Sequence, residues 1–152
     1  MAKTDNAYQY PIDNERIVRI AYNESPAHVG PLAYSVDFIV PEGTEVKAAA
    51  DGIVIEVKDD SNIGGADKDL EQFGNYIEIE HPHGEYSEYE HLKNKGALVK
   101  VGDRITRGQV IGYSGATGWI AHLGPHLHFM VGKYGNVSDE YQTLEIVWAK
   151  QS

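Results

Sequence analysis

Short runs of β-branched and aromatic residues, each closed by glycine or proline, follow one another along almost the whole chain. Valine, isoleucine and tyrosine dominate the runs, and sixteen glycines and six prolines punctuate them. No long segment shows the 3.6-residue apolar period of an amphipathic helix. Such residues favour strands, and close turns between them favour antiparallel pairing. The candidate strands are residues 16–22, 33–40, 45–50, 52–60, 75–82, 85–92, 109–115, 126–132 and 144–149.

This pattern predicts an all-β fold, a mostly antiparallel sandwich or barrel with little helix. A chain of 152 residues suits one domain with a sizeable core. We therefore expect residues 1–152 to form a single domain, with residues 1–10 as a flexible lead. The longest loop, residues 59–74, is polar, and a short helical turn is predicted in it at DKDLEQF.

Two stretches of the sequence resemble each other weakly. VPEGTEVKAAADGIVIEV (40–57) and VKVGDRITRGQVIGYSG (99–115) share an apolar start, a Gly-(Thr/Asp)-x-(Val/Ile) step, small or polar residues, and then glycine before a β-branched strand. A repeat of this kind predicts two related hairpin units that pack face to face.

Charge and residue usage exclude several classes of partner and site. The formal net charge is −10, so phosphate backbones and anionic membranes repel the chain, and no nucleic-acid partner is expected. No apolar run reaches about 18 residues, and the N-terminus lacks the apolar segment of a signal peptide, so no membrane insertion is expected. The chain has no cysteine, so a transition-metal site has to use His, Asp and Glu.

Residues 124–131, GPHLHFMV, carry two histidines at the spacing of one strand face. His126 and His128 leave the same side of a strand, whereas Leu127 and Phe129 leave the other side, toward a core. Two exposed strand histidines are one interpretation of this pattern. The other is a metal or catalytic site, because two imidazoles on one face can converge on one ion or on a substrate beside it.

Several motifs follow one another along the chain: DFIVPEGTEVKAAADGIV, GNYIEIEH, YEHL and GYSGATG…GPHLHF. Together they resemble the lysostaphin-type (LytM-like) zinc endopeptidases, which cut peptidoglycan cross-links. The resemblance covers roughly residues 10–148. It implies a mostly antiparallel β-structure with a groove, of the kind called a duplicated hybrid motif. It also implies that the protein is a monomer and binds Zn²⁺. It also implies a peptidoglycan stem or cross-link peptide as partner, and a place in the cell envelope or outside the cell.

The same resemblance implies roles for individual residues. His128, the second histidine of the HLH pair, matches a zinc ligand, and Asp37 in YSVDF matches the carboxylate ligand. His126, the first of the pair, matches a catalytic histidine beside the metal. His91 in YEHL matches the second catalytic histidine, so that the two histidines would orient water and carry protons.

Two departures from the family pattern leave questions open. The family commonly has a histidine four residues before Asp37, where this chain has Ala33; His28 is the candidate for the remaining ligand. The segment Trp119–Leu123 is longer than usual and is expected to extend a wall of the groove. His122, within it, is expected to be a solvent-facing loop residue rather than a ligand.

Three functions fit the sequence. The first is a zinc endopeptidase acting on peptidoglycan. The second is a catalytically degenerate relative that binds a wall peptide or a protein. The third rests on a weaker likeness to the glucose-type phosphocarrier of the sugar phosphotransferase system, where one histidine carries phosphate and another steadies it. That third interpretation leaves Asp37 and the GPHLHF motif unexplained.

Overall fold

The chain folds almost entirely into short strands. The computed structural model describes residues 2–22, 30–121, 123–135 and 140–150. The strands in these ranges, in chain order, are β1 Lys3–Tyr8, β2 Arg19–Ala21, β3 Val36–Ile39, β4 Glu45–Lys47, β5 Gly52–Lys58, β6 Gly64–Gly65, β7 Tyr76–His81, β8 Glu85–Glu90, β9 Arg104–Ile105, β10 Val110–Tyr113, β11 Gly118–Trp119, β12 Leu127–Tyr134, β13 Tyr141–Thr143 and β14 Glu145–Trp148.

One large antiparallel sheet organises the molecule. Its strand order is β2–β3–β12–β8–β7–β5–β9, and β13 pairs with β12 beside this path. Three small pairs complete the fold: β4 with β10 is antiparallel, whereas β1 with β14 and β6 with β11 are parallel. The predicted all-β, mostly antiparallel fold is confirmed, and each of the nine candidate runs contains a strand.

Helix in the described ranges consists of short 3-10 turns. The turn predicted within residues 59–74 is present as Lys68–Phe73, where the Asp67 carboxylate caps the start by accepting from the Asp69 N–H over 2.9 Å. None of the helices in these ranges is long and apolar enough to cross a bilayer. The other turns are Asn14–Arg16, Gly30–Leu32 and Pro82–Gly84.

The core lies on one face of the large sheet. Leu127 and Phe129 on β12 are fully buried, and the Phe129 ring lies 6.4 Å from Phe38 and 6.0 Å from Trp148 between centroids. Burying side chains of this size contributes about 1.5–3 kcal/mol each. The alternation predicted for GPHLHFMV is therefore present, and the other face of β12 is left for His128.

The two related stretches do not form separate hairpins, which corrects the expectation from the repeat. β4 of the first copy pairs with β10 of the second, and β9 of the second pairs with β5 of the first. Two main-chain hydrogen bonds join the copies further: the Ala48 N–H donates to the Gln109 oxygen, and the Gly108 N–H donates to the Ala48 oxygen. Each copy therefore supplies strand partners for the other. The prediction failed because local sequence carries no signal of which copy a strand pairs with.

The flexible lead expected at residues 1–10 is wrong for residues 3–8, which form β1. The buried Glu85 carboxylate holds this strand by accepting from the backbone N–H groups of Asp5 and Asn6 and from the Tyr8 hydroxyl. Tyr8 is fully buried. A polar strand whose anchor lies some 80 residues away has no local sequence signature, so the N-terminal residues resembled an ordinary lead.

Candidate active site

Strand pairing sets a row of polar side chains on the face of the sheet opposite the core. On β12, His128 pairs with Asp37 of β3 on one side and with Glu90 of β8 on the other. Tyr76 of β7 pairs with Glu90 and extends the row. Directly opposed residues in antiparallel strands share a face, and we call these four residues the polar row.

Asp37 lies at the centre of the histidine cluster. One of its carboxylate oxygens, Oδ1, lies 3.2 Å from His128 Nδ1 and 3.5 Å from His126 Nε2. All three side chains are buried, and Asp37 is fully so. Burial lowers the pKa of His128, but the hydrogen bond to Asp37 and the charge of Glu90 outweigh it, so that the net pKa is raised. The sequence-predicted residues Asp37, His126 and His128 thus meet at one oxygen.

His126 precedes β12 and is fixed by its own turn. Its Nδ1 lies 2.8 Å from the main-chain oxygen of Gly124. A carbonyl oxygen only accepts hydrogen bonds, so Nδ1 carries the proton in the neutral ring. Nε2 is then the nitrogen directed at Asp37, and it holds a lone pair for proton transfer.

His91 completes the cluster from the end of β8. Its ring centroid lies 4.6 Å from that of His126 and 5.9 Å from that of His128. Its backbone is left-handed, with φ of 68°, a strained conformation that concentrates at functional sites. Burial, reinforced by the two neighbouring imidazoles, lowers the pKa of His91 to about 3, so its ring is neutral near neutral pH.

A buried polar network holds His91 in place. The ring donates from Nδ1 to the main-chain oxygen of Thr117 over 2.7 Å. The Thr117 hydroxyl donates to the Leu92 oxygen and accepts from the Asn75 N–H, and the Asn75 amide donates to Ser61 and Leu92 oxygens. Sequence analysis missed Asn75 and Thr117, although the quoted motifs GNYIEIEH and GYSGATG contain them.

Close backbone packing next to His91 requires glycine. Gly118 has φ of +82°, and a Cβ there would lie 2.7 Å from Gly74 Cα and 3.5 Å from His91 Nδ1. Any side chain at this position would push apart the two loops that flank the histidine. The TG step of GYSGATG is therefore explained by packing around the site.

A groove with a cavity of about 260 Å³ opens over three members of the polar row, Tyr76, Glu90 and His128. Trp119 forms part of its wall, since β11 pairs with β6 and the indole N–H donates to the Ala66 oxygen over 3.2 Å. The start of the segment Trp119–Leu123 thus lies in a groove wall, and the lengthening of that wall relative to the family stays a prediction. Lining residues are Leu32, Glu71, Gln72, Gly74, Tyr76, Glu88, Glu90, His91, Trp119 and His128.

The donor set fits zinc in part. Two donor atoms bound to one tetrahedral zinc are about 3.3 Å apart, given bonds of about 2.0–2.1 Å, and the 3.2 Å between Asp37 Oδ1 and His128 Nδ1 agrees. Within the described ranges, no group of three His, Asp or Glu side chains is arranged to hold a metal ion. His28, the candidate third ligand, lies in residues 23–29, outside the described residues, as does His122.

The remaining described histidines lie outside the site. His81 is buried between the Asp51 oxygen and the Ser87 hydroxyl, at 2.7 Å from each. His83 is exposed, in the turn Pro82–Gly84, with φ of 66°. Both positions agree with structural roles.

Residues 32–140 match the model of peptidase family M23. The chain is 35% identical over 127 residues to the peptidoglycan DD-endopeptidase ShyA of Vibrio cholerae serotype O1, covering 80% of this chain and 26% of that protein. It is 41% identical over 109 residues to lysostaphin of Staphylococcus simulans, covering 70% of this chain and 20% of lysostaphin. The chain therefore spans about a quarter or less of these relatives.

Solved structures agree with these matches. The catalytic domain of lysostaphin from Staphylococcus simulans superposes with a TM-score of 0.58 at 30% identity, covering 86% of this chain and 90% of that one. A zinc-containing peptidase from Vibrio cholerae superposes with a TM-score of 0.60 at 34% identity, covering 83% and 36%. With a match over residues 32–140 and a shared fold, this chain belongs to peptidase family M23.

Proposed function

We propose that the chain is a zinc-dependent endopeptidase that hydrolyses peptide cross-links of bacterial peptidoglycan. The observation that carries the proposal is the convergence of His91, His126 and His128 around Asp37 at the floor of a groove. The names of the related endopeptidases support the substrate class. This substrate implies action in the cell envelope or outside the cell.

Asp37 and His128 would hold the metal, with His28 as the third ligand. Zinc bound by such residues acts as a Lewis acid on the scissile carbonyl and makes water a nucleophile near neutral pH. Ala33 stands where the family commonly has a histidine, so the proposal depends on His28. A His28→Ala variant is expected to lose zinc.

His126 and His91 would manage the protons. His126 Nε2 has its lone pair at the centre of the cluster, so it is placed to take a proton from the attacking water and return it to the leaving amine. His91 stays neutral because of its lowered pKa, and with its proton on Nδ1 its Nε2 can accept a hydrogen bond from the attacking water and so orient it. Asp37 keeps the local field negative, which favours transient protonation of His126.

Zinc content and hydrolysis test this function together. We expect about one zinc per chain in protein purified without chelator or metal-affinity resin, and release of new amino termini from peptidoglycan. His128→Ala is expected to lose both. His83→Asn is the matched control, because it removes an exposed histidine and asparagine tolerates the left-handed backbone there. Hydrolysis retained by His128→Ala would overturn the assignment.

The degenerate relative is the second candidate, and Ala33 is the observation that favours it. In that case the groove binds a wall peptide without cutting it. Zinc near zero that added zinc does not restore, together with retained peptidoglycan binding, would establish this function instead. The match to family M23 and the position of Asp37 give no support to the phosphocarrier.

A further inference from the structure

His128 has a carboxylate on each side of it across the sheet. Strand β12 lies between β3 and β8, and His128 pairs with Asp37 on β3 and with Glu90 on β8. Directly opposed side chains in antiparallel strands share a face, with Cβ atoms about 4.5–5.5 Å apart. The proposed function gives roles to His128 and Asp37, but Glu90 has none in it.

The orientation of the His128 ring assigns one of its nitrogens to each side. Nδ1 lies 3.2 Å from Asp37 Oδ1, on the β3 side. Nε2 belongs to the opposite half of the ring, which is therefore turned toward β8. Nε2 is buried away from solvent, so an acceptor for a proton on this nitrogen has to be a protein group rather than bulk water.

A bound metal would decide which nitrogen of His128 carries the proton. A nitrogen that binds a metal uses its lone pair and holds no proton, so a neutral ring bound through Nδ1 has its proton on Nε2. Metal-binding histidines almost always donate this second N–H to a carboxylate, a backbone carbonyl or water. Glu90 is the carboxylate that strand pairing sets on the β8 side of the ring.

Charge supports the same role for Glu90. Burial lowers the pKa of His128 and the hydrogen bond to Asp37 raises it; the charge of Glu90 raises it further, by more than the charge of Asp37 does. The Glu90 carboxylate therefore lies close enough to act strongly on the ring. Zn²⁺ carries two positive charges and Asp37 balances one of them, so a second carboxylate lowers the cost of holding the ion in a buried site.

We propose that Glu90 is a positioning residue of the metal site, which accepts the Nε2–H of His128 when Nδ1 binds zinc. Such a contact fixes the orientation of the ring and makes Nδ1 a stronger ligand. The inference rests on the proposed function for the presence of zinc. It deepens that function by adding a residue that supports the metal from outside the ligand set.

Zinc affinity tests the inference without a measurement of hydrolysis. The full chain, freed of metal, is titrated with Zn²⁺ in competition with a coloured chelator. Glu90→Gln keeps the shape of the side chain and removes its charge, and it is expected to bind zinc about 10–100-fold more weakly than the parent. Glu71→Gln is the matched control, since it removes a charge from an exposed residue that lines the same cavity. This variant is expected to keep the parent affinity.

Two further readouts separate a positioning role from a role in folding. In the NMR spectrum of the zinc-loaded protein, the Nε2–H resonance of His128 is expected to move upfield in Glu90→Gln, because its hydrogen bond to a charged acceptor is lost. The metal-free variant is expected to unfold at no lower temperature than the parent.

Four results would overturn the inference and leave the proposed function standing. They are an unchanged zinc affinity in Glu90→Gln, an equal loss in Glu71→Gln, an unmoved His128 resonance, and a lowered unfolding temperature of metal-free Glu90→Gln, which would assign Glu90 to folding. A parent chain that binds no zinc would overturn the proposed function, and this inference with it.

Discussion

His91 Nδ1 donates to the main-chain oxygen of Thr117 over 2.7 Å, which ties a catalytic candidate to a loop 26 positions along the chain. The hydroxyl of the same threonine donates to the Leu92 oxygen and accepts from the Asn75 N–H. The orientation of His91 thus depends on residues that do not face the groove.

Thr117→Val is expected to destabilise the fold by about 1–3 kcal/mol, because it leaves the buried Asn75 N–H without its partner and removes one of the two hydrogen bonds to the Leu92 oxygen. Hydrolysis is expected to fall about tenfold or more, since supporting hydrogen bonds of this kind orient the working residues. Thermal unfolding and a peptidoglycan assay measure the two effects. Thr117→Ser keeps the hydroxyl and should retain most of both; equal losses in the two variants would contradict the role of the hydroxyl.

His126 and His128 are expected to separate metal binding from chemistry. His126→Ala should keep its zinc and lose about 10²–10⁴-fold in rate, the usual contribution of a positioned acid or base. His128→Ala should lose the zinc itself. Elemental analysis beside single-turnover hydrolysis distinguishes the two variants, and loss of zinc from both would show that His126 is also a ligand.

His81 is expected to make the fold sensitive to acid. Burial lowers its pKa below the ordinary 6.5, so the unfolded chain takes up a proton more readily than the folded one. The stability that neutral His81 contributes is present above pH 6.5 and is lost as pH falls toward the lowered pKa. The midpoint temperature of unfolding should fall less steeply between pH 7.5 and 5 for His81→Gln than for the parent protein. Parallel curves for the two proteins would show that the acid sensitivity comes from other groups.

Glu85 is expected to stabilise the N-terminal strand. Its carboxylate is fully buried and accepts from Asp5, Asn6 and Tyr8. Hydrogen bonds to a charged group contribute about 1.5–3 kcal/mol each, so Glu85→Ala should cost about 3 kcal/mol or more. Denaturant unfolding gives the loss, and hydrogen exchange should show opening of residues 3–8 first. As a control, Glu145→Ala should cost little, since its side chain is 46% exposed and its ion pair with Lys3 lies at the surface.

Local pattern predicted much of this fold and part of the site. The spacing of His126 and His128 and the apolar residues beside them fixed which face of β12 packs and which face is free. Asp37 and His91 were predicted as site residues only from their match to family motifs, because nothing in the sequence around them distinguishes a functional carboxylate or histidine from an ordinary one. Asn75 was missed because its partners lie 14 and 17 positions away, and such distant hydrogen bonds leave no periodic trace.

The exchange of strands between the two repeat copies bears on how the chain reaches its native state. Strand β4 can pair only after β10, about 65 residues later in the chain, is present. The entropy cost of closing that loop precedes the stabilising contacts between the two strands. Proteins dominated by such distant pairings fold in milliseconds to seconds rather than microseconds. During synthesis on the ribosome, the first copy emerges with unpaired strand edges. These edges can pair with other chains and aggregate until the strands of the second copy pair with them.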